Sequence, residues 1–221
     1  MNAPRVLRLT AALAVSATLA AGLSACAPLL LGGAVLGGGM VATDRRTTGI
    51  QIEDEAIELR AGSRVRELAT LGQVSITSYN RMVLLTGEVP GAAEKVQVEQ
   101  AVAKVENVRS VVNELVVAPN SSFSSRTADN SLATKVKLTL VDAKDVQANA
   151  YKVLAERRVI YLMGRVTERE ANRGAELASQ VSGVEKVVKV FEIITERELS
   201  RPSGNAPAPI STAAPAASAP K

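Results

Sequence analysis

The stretch MVLLTGEV, residues Met82–Val89, returns 77 positions later as VIYLMGRV, residues Val159–Val166. Apolar residues occupy the same places in both copies, and so does a glycine, Gly87 in the first and Gly164 in the second. Such apolar runs predict buried strands, and we interpret the glycines as strand-end positions that need unusual backbone angles or a close approach. Since self-similarity at a fixed spacing marks a repeated structural unit, the chain is predicted to contain two copies of one module.

A helix is predicted before this strand in each copy. Apolar residues there recur at three- and four-residue spacing, which places them on one helical stripe. The two stripes align at an offset of 75, each with an aspartate in front: Asp54, Ile57, Ala61 and Val65 match Asp129, Leu132, Val136 and Leu140.

Each copy is completed by a hairpin, a second helix and a third strand. Two short apolar runs joined by a polar link predict the hairpin, and Thr167 with Glu170 resembles a capping box at the start of the second helix of the second copy. The β-branched runs Val108–Val117 and Val184–Ile194 predict the third strands. Because a helix connects strands two and three, these run parallel. The predicted fold class is α+β, with two αββαβ modules, each a three-stranded mixed sheet with two helices packed on it.

Domain boundaries follow from the repeat and from composition. Module 1 is predicted over residues 49–118 and module 2 over residues 128–196, with a polar linker at 119–127. Residues 197–221 form an Ala/Pro/Ser tail with too little apolar periodicity to fold. Modules this small lie near the lower size limit for one stable core, so we expect packing of one copy against the other to stabilise both.

The first 48 residues carry an export signal. Arg5 and Arg8 precede an uncharged stretch that ends in small residues, so residues 1–25 are predicted to be a signal peptide. The Leu-Ser-Ala-Cys sequence that ends at Cys26 resembles the lipobox of bacterial lipoproteins, which implies acylation of Cys26 and cleavage before it. Residues 26–48 then form an acylated, Gly-rich tether, since acyl chains anchor a protein without a spanning helix. The alternative, an uncleaved membrane helix that continues into residues 29–41, is disfavoured by Pro28 and the glycines that follow.

Composition excludes several functions. The chain has no His and one Cys, which removes His-based catalysis, His/Cys metal sites and any internal disulfide, and no cofactor is expected. Aromatic residues make up 2% of the chain, too few to stack nucleobases, so no nucleic-acid partner is expected. The acidic pairs Asp142/Asp145 and Glu168/Glu170 have no nucleophile or metal ligand beside them and are interpreted as solvated charge. We therefore predict no catalytic residues, no metal site and no enzyme.

Charge is divided unequally between the copies. Residues 50–117 contain 7 basic and 10 acidic side chains, whereas residues 126–200 contain 13 basic and 11 acidic ones, which gives −3 and +2. Only module 2 is therefore expected to be attracted to an anionic surface, at about 1 kcal/mol per well-placed cation.

The first helix of module 2 has a candidate lipid-binding face. Placed on a helix, Leu132, Val136 and Leu140 point toward the sheet, while an apolar residue and a lysine lie together on the opposite side, as an interfacial contact requires. A solvated helix with one exposed leucine is the alternative. The candidate residues are Ser131, Thr134, Lys135 and Leu138 on the outward face, with Lys137 and Val141 on its flank.

The repeat resembles the BON domain, and the resemblance covers both copies. The segments Ala42-Thr43-Asp44-Arg45 and Met163–Ala171 are similar in sequence to segments of the outer-membrane lipoproteins of Gram-negative bacteria that carry two BON domains. This resemblance implies an outer-membrane protein, lipid-anchored and facing the periplasm, that binds anionic phospholipid such as phosphatidylglycerol or cardiolipin, supports envelope integrity and in some members gathers at division sites. Relatives carry a Trp where this chain has Ser131, which implies weaker lipid affinity or a contact through Leu138.

A second hypothesis stays open beside lipid binding. An open sheet edge of either copy can accept a strand from another protein, which would make this chain an adaptor for an envelope protein such as an outer-membrane assembly machine.

Overall fold

The computed structural model describes residues 44–68 and 72–200. The predicted signal peptide, Cys26 and most of the tether lie outside the described residues, as does the tail from residue 201 onward.

Module 1 follows the predicted order. Helix α1 spans Thr48–Glu67 and is capped by the Thr47 hydroxyl, which accepts the Ile50 N–H. The remaining elements are β1 (Gln73–Tyr79), β2 (Met82–Val89), α2 (Ala92–Ala103), β3 (Ser110–Asn113) and β4 (Val116–Val117). Strand β1 pairs with β2 antiparallel, and β2 pairs with β3 and β4 parallel.

The third strand of module 1 differs from the prediction because it is broken into two. The Asn113 side chain accepts the Leu115 N–H at 3.2 Å and donates to the Lys95 carbonyl at 3.0 Å, which turns the chain out of regular pairing. The break directs Leu115 into the core, where it is 1% exposed. The sheet of module 1 therefore has four strands, the last of two residues.

Module 2 repeats this order with a continuous third strand. The elements are α3 (Phe123–Asp142), a 3₁₀ turn at Ala148–Ala150, β5 (Lys152–Glu156), β6 (Val159–Val166), α4 (Glu168–Ser179), β7 (Lys186–Ile193) and the short α5 (Glu196–Leu199). The sheet has the order β5-β6-β7, with β5 and β6 antiparallel and β6 and β7 parallel. The capping box of Thr167 and Glu170 is confirmed.

Two of these helices extend into segments predicted to be irregular. Helix α3 begins at Phe123, inside the predicted linker, because the Ser122 hydroxyl accepts the Ser125 N–H at 3.1 Å and caps it. Helix α5 includes the predicted start of the tail and begins with a second capping box, formed by Thr195 and Glu198. Serine-rich composition concealed the start of α3, since the same residues favour helix caps and loops. The start of α5 carries a Thr-x-x-Glu signal, but the helix has only four residues and no apolar stripe.

The strand glycines allow a neighbouring backbone carbonyl to approach the strand closely, as expected from the repeat. A Cβ added at Gly87 would lie 2.1 Å from the Gln73 carbonyl oxygen, and one at Gly164 would lie 2.2 Å from that of Ala150. Gly87 also has a φ of 107°, in the region that favours glycine.

The two sheets lie face to face, with the helices outside. In β2, Val83 and Leu85 pack on the helices of module 1, whereas Leu84, on the other face, joins a cluster with Tyr161 and Met163 of β6. The alternation of strand side chains thus gives each sheet two apolar faces, one for its own helices and one for the other module. The shared cluster consists of Tyr79, Leu84, Tyr161, Met163 and Val190. The α+β fold with two modules is confirmed.

Candidate functional site

Helix α3 presents the predicted residues to solvent. Leu132, Val136 and Leu140 are buried against the sheet, while the outward side of the helix is exposed. Leu138 and Val141 are 57% and 58% exposed. The other exposed members of the predicted set are Ser131, Thr134 and Lys135.

Lys137 is positioned differently from the other candidates. Its ammonium group donates to the carbonyl of Ala148 at 2.5 Å and to that of Tyr151 at 3.0 Å, so it points into the fold beside strand β5. This burial lowers the pKa of Lys137. Lys137 lies on the flank of the helix, as predicted, but its ammonium group is bonded to carbonyls of the protein and does not point to solvent.

Phe123 belongs to this surface and was missed by the sequence analysis. It is 78% exposed at the start of α3 and precedes Val141 by 18 residues, or five helical turns, so both lie on one side of the helix about 27 Å apart. The Ser122 cap was the only local signal for a helix that begins this early. An exposed aromatic side chain is suited to the boundary between lipid headgroups and acyl chains.

The hydroxyl groups on this face are already bonded within the helix. Ser131 donates to the Thr127 carbonyl at 3.0 Å, and Thr134 donates to that of Asn130 at 2.9 Å. A hydroxyl bonded to the preceding turn does not need water as an acceptor, so it costs less to remove from water. The face between Phe123 and Leu138 is therefore less polar than its composition suggests.

The charges on the face have opposite signs. No carboxylate of the described residues pairs with Lys135 or Lys144, so both ammonium groups are available to an anion. Asp142 is exposed one turn beyond Leu138 and places a negative charge on the same side. Asp145 is directed elsewhere, since it forms an ion pair with Arg173 at 2.7 Å. The acidic pair Asp142/Asp145 is exposed, as interpreted from the sequence.

A second feature lies where the tether meets the modules. Arg45 is buried and forms two hydrogen bonds with the Glu170 carboxylate of module 2, at 2.7 and 2.8 Å. Arg46 instead pairs with Asp54 of module 1 at 2.6 Å and stacks over the Tyr79 ring at 4.0 Å. We call Asp44–Arg46 the clasp, because its adjacent arginines bind different modules.

The clasp corrects the interpretation of Glu170 as solvated charge. Glu170 is 4% exposed, and the hydrogen bonds from Arg45 hold the pKa of its carboxyl below the usual value of 4.5. Glu168 alone is exposed, as predicted. The Glu170 side chain thus has a structural role, because it both caps helix α4 and pairs with Arg45.

The described part of the chain has neither a cluster of metal-binding side chains nor a helix that could span a membrane. Within residues 44–68 and 72–200, no three His, Cys, Asp or Glu side chains are arranged to hold a metal ion. In the same segments, no helix is both long enough and apolar enough to cross a bilayer.

Comparison with known proteins points to one family. The BON domain model matches residues 54–119 and 128–195. The chain is 42% identical over 168 residues to the outer membrane lipoprotein DolP of Haemophilus influenzae, covering 73% of this chain and 87% of that protein. It is 29% identical over 154 residues to a 21 kDa hemolysin of Actinobacillus pleuropneumoniae, covering 68% and 79%. A solved structure of CdsD, a structural protein of the type III secretion system of Chlamydia trachomatis, covers 65% of this chain and 95% of its own, with 11% identity and a TM-score of 0.28.

Proposed function

The chain belongs to the BON domain family as an outer-membrane lipoprotein, and from that premise we propose that module 2 binds anionic phospholipid through α3 and thereby supports outer-membrane integrity. The role proposed is non-catalytic. The lipid ligand proposed is phosphatidylglycerol or cardiolipin.

The observation that carries this proposal is the outward face of α3. Phe123, Leu138 and Val141 are more than half exposed on it, so the helix offers three large apolar side chains to a membrane surface. Lys135 lies between them without a carboxylate partner among the described residues. An apolar strip with a free cation beside it is the combination that inserts between anionic headgroups.

The energies favour a weak, additive contact. Each well-placed lysine contributes about 1 kcal/mol at an anionic surface, and a partly inserted Phe or Leu contributes on the order of 1–2 kcal/mol at 25 cal/mol per Å². Three such side chains provide several kcal/mol, which corresponds to a micromolar to millimolar affinity. Such a contact is sufficient for a protein that an acyl chain already holds at the membrane.

Vesicle flotation tests the proposal on the chain from residue 27 onward, which lacks the predicted acyl site. We expect flotation with phosphatidylglycerol vesicles and not with pure phosphatidylcholine, and a loss of at least tenfold in the double variant Lys135→Glu/Leu138→Asp. Ile52→Asp/Lys104→Glu is the control with the same change of net charge, since Ile52 is 62% exposed on module 1 and Lys104 is also exposed there. Equal flotation with both lipids, or an equal loss in the control, would contradict lipid binding by α3.

Phe123 is tested separately because it stands at the far end of the face. We expect Phe123→Ser to weaken flotation about five- to tenfold, since it removes the aromatic side chain and leaves the Ser122 cap intact. Phe123→Trp should strengthen it. Unchanged binding in both variants would restrict the contact to the second half of α3.

A further inference from the structure

A groove lies between helix α1 and strand β1 of module 1. It has a volume of about 500 Å³ and is lined by Glu55, Glu58, Leu59, Gly62, Val74 and Ile76. Leu59 on its rim is 74% exposed, and the valine and isoleucine on its floor are half-buried.

The floor of the groove is an open sheet edge. The Ser78 N–H is bonded to Glu58 at 2.8 Å and its carbonyl accepts from Lys152 at 3.3 Å, so the backbone groups of Ser78 point away from β2. In an antiparallel pair every second residue has this orientation, and Val74 and Ile76 therefore also direct their N–H and C=O groups into the groove. A strand edge of this kind is a template for another strand.

Module 2 shows what fills the corresponding space. Matching positions in the two modules are identified by the backbone carbonyl that faces the strand glycine. The Gln73 carbonyl faces Gly87 in module 1, as the Ala150 carbonyl faces Gly164 in module 2. Val74 of module 1 thus corresponds to Tyr151 of module 2, whose carbonyl accepts from Lys137. The helix position that matches Lys137, 75 residues earlier, is Gly62.

The fold does not require glycine at this position. A Cβ added at Gly62 would have the flexible end of Arg66 as its nearest neighbour, at 3.4 Å, and Gly62 has no positive φ. Glycine within a helix costs about 1 kcal/mol relative to alanine. The consequence of Gly62 is an open groove, in which no side chain of the described residues donates to the Val74 carbonyl as Lys137 does to Tyr151.

We infer that this groove binds an extended segment of another protein, which adds as a strand to β1 and carries basic and apolar residues in alternation. The backbone of the segment would pair with Val74 and Ile76, its apolar side chains would meet Leu59, and its cations would take the place that Lys137 fills in module 2. Glu55 on the rim is exposed and has no cationic partner in the described chain, and module 1 carries a net charge of −3 over residues 50–117. This site is separate from the proposed lipid-binding face. It makes the β1 edge of module 1 the place where an adaptor would bind its partner protein.

The test uses the full chain in nonionic detergent micelles and a fluorescent seven-residue peptide that alternates valine and lysine. We expect saturable binding by fluorescence anisotropy, weakened at least tenfold by Gly62→Lys, which copies the lysine of module 2. Gly62→Ala is the matched control, since it stabilises the helix and leaves the groove open. Two control peptides, one alternating valine and glutamate and one with a central proline that cannot donate to the edge, should bind at least tenfold more weakly.

Several outcomes would overturn the inference. Equal binding by the wild type and Gly62→Lys, or by the lysine and glutamate peptides, would exclude the groove as the site. Sedimentation that shows a dimer in the wild type and a monomer in Gly62→Lys would assign the edge to a second copy instead. The proline peptide is measured on the wild type, so its result stands even where a variant unfolds.

Discussion

At each hairpin, two consecutive residues with side chains take left-handed backbone angles, and one buried aspartate holds both. The N–H groups of Asn80 and Arg81 donate to Asp54 at 2.8 Å, and those of Arg157 and Arg158 donate to Asp129 at 2.9 Å. Such turns normally carry Asn or Gly. Asn80 fits this preference and the three arginines do not, so in each hairpin the aspartate from the preceding helix stabilises a turn that contains at least one unfavourable residue.

Removing one of these aspartates should destabilise the fold. Asp129→Ala leaves two partly buried N–H groups without their acceptor, and we expect the free energy of unfolding to fall by about 1–3 kcal/mol. Urea denaturation followed by circular dichroism measures it. Asp142→Ala, on the exposed face of the same helix, is the control and should change stability by less than about 0.5 kcal/mol. Matching urea midpoints for the two variants would show that the turn does not depend on Asp129.

The Arg45–Glu170 pair makes stability depend on pH in the acidic range. The folded state holds the pKa of Glu170 below its usual value of 4.5 because Arg45 donates to the carboxylate. The stabilisation is therefore fully present above pH 4.5 and is lost as the pH falls through the lower folded value. We expect Glu170→Gln to flatten this part of the curve of unfolding free energy against pH. A wild-type slope that persists in Glu170→Gln would assign it to other carboxylates.

On the scale of elements, helix α3 has a buried side that packs on the sheet and an outward side that forms the proposed lipid contact. Its buried stripe is fixed by Leu132, Val136 and Leu140, so substitutions on the outward side are expected to leave the fold intact. Asp142 is the one outward charge that opposes an anionic surface. We expect Asp142→Asn to raise binding to phosphatidylglycerol vesicles about fivefold, in line with about 1 kcal/mol per charge.

The control for that prediction is Asp145→Asn, because Asp145 already pairs with Arg173 away from the face. It should change flotation less than Asp142→Asn does. If both variants raise binding equally, the effect is one of net charge, and the outward face of α3 has no special part in it.

Elements were predicted well where their signal is local. The helical stripes, the strands of the hairpins and the capping box of α4 depend on residues within a few positions of each other, and these were found. The broken third strand of module 1 was not, because it results from the side chain of Asn113 reaching α2. The start of α3 at Phe123 was missed since serines favour caps and loops alike.

The candidate site was predicted only in part, for the same reason. Exposure of Ser131, Lys135 and Leu138 follows from helical periodicity. The inward position of Lys137 depends on carbonyls 11 and 14 residues away, and the burial of Glu170 depends on an arginine 125 residues away. No local pattern encodes such partners.

For the whole molecule, the shared cluster between the sheets makes the modules interdependent. Met163 of module 2 is fully buried beside Leu84 of module 1. We expect Met163→Ala to cost about 2–4 kcal/mol and to increase hydrogen exchange in the strands of both modules. Leu162→Ala, which faces the helices of module 2, is the comparison. If Met163→Ala left exchange in module 1 unchanged, the modules would unfold separately.

The clasp also determines how far the protein can move from its membrane. With Cys26 acylated, the 17 residues from 27 to 43 reach at most about 60 Å, and they end at a point pinned between both modules. With that anchor, residue 44 would stay within this distance of the bilayer. An acyl chain on Cys26 would then account for attachment, and the proposed headgroup contact by α3 would only need to orient the protein. Lipid composition would then determine the orientation of the protein, and with it whether the groove of module 1 faces toward or away from the membrane surface.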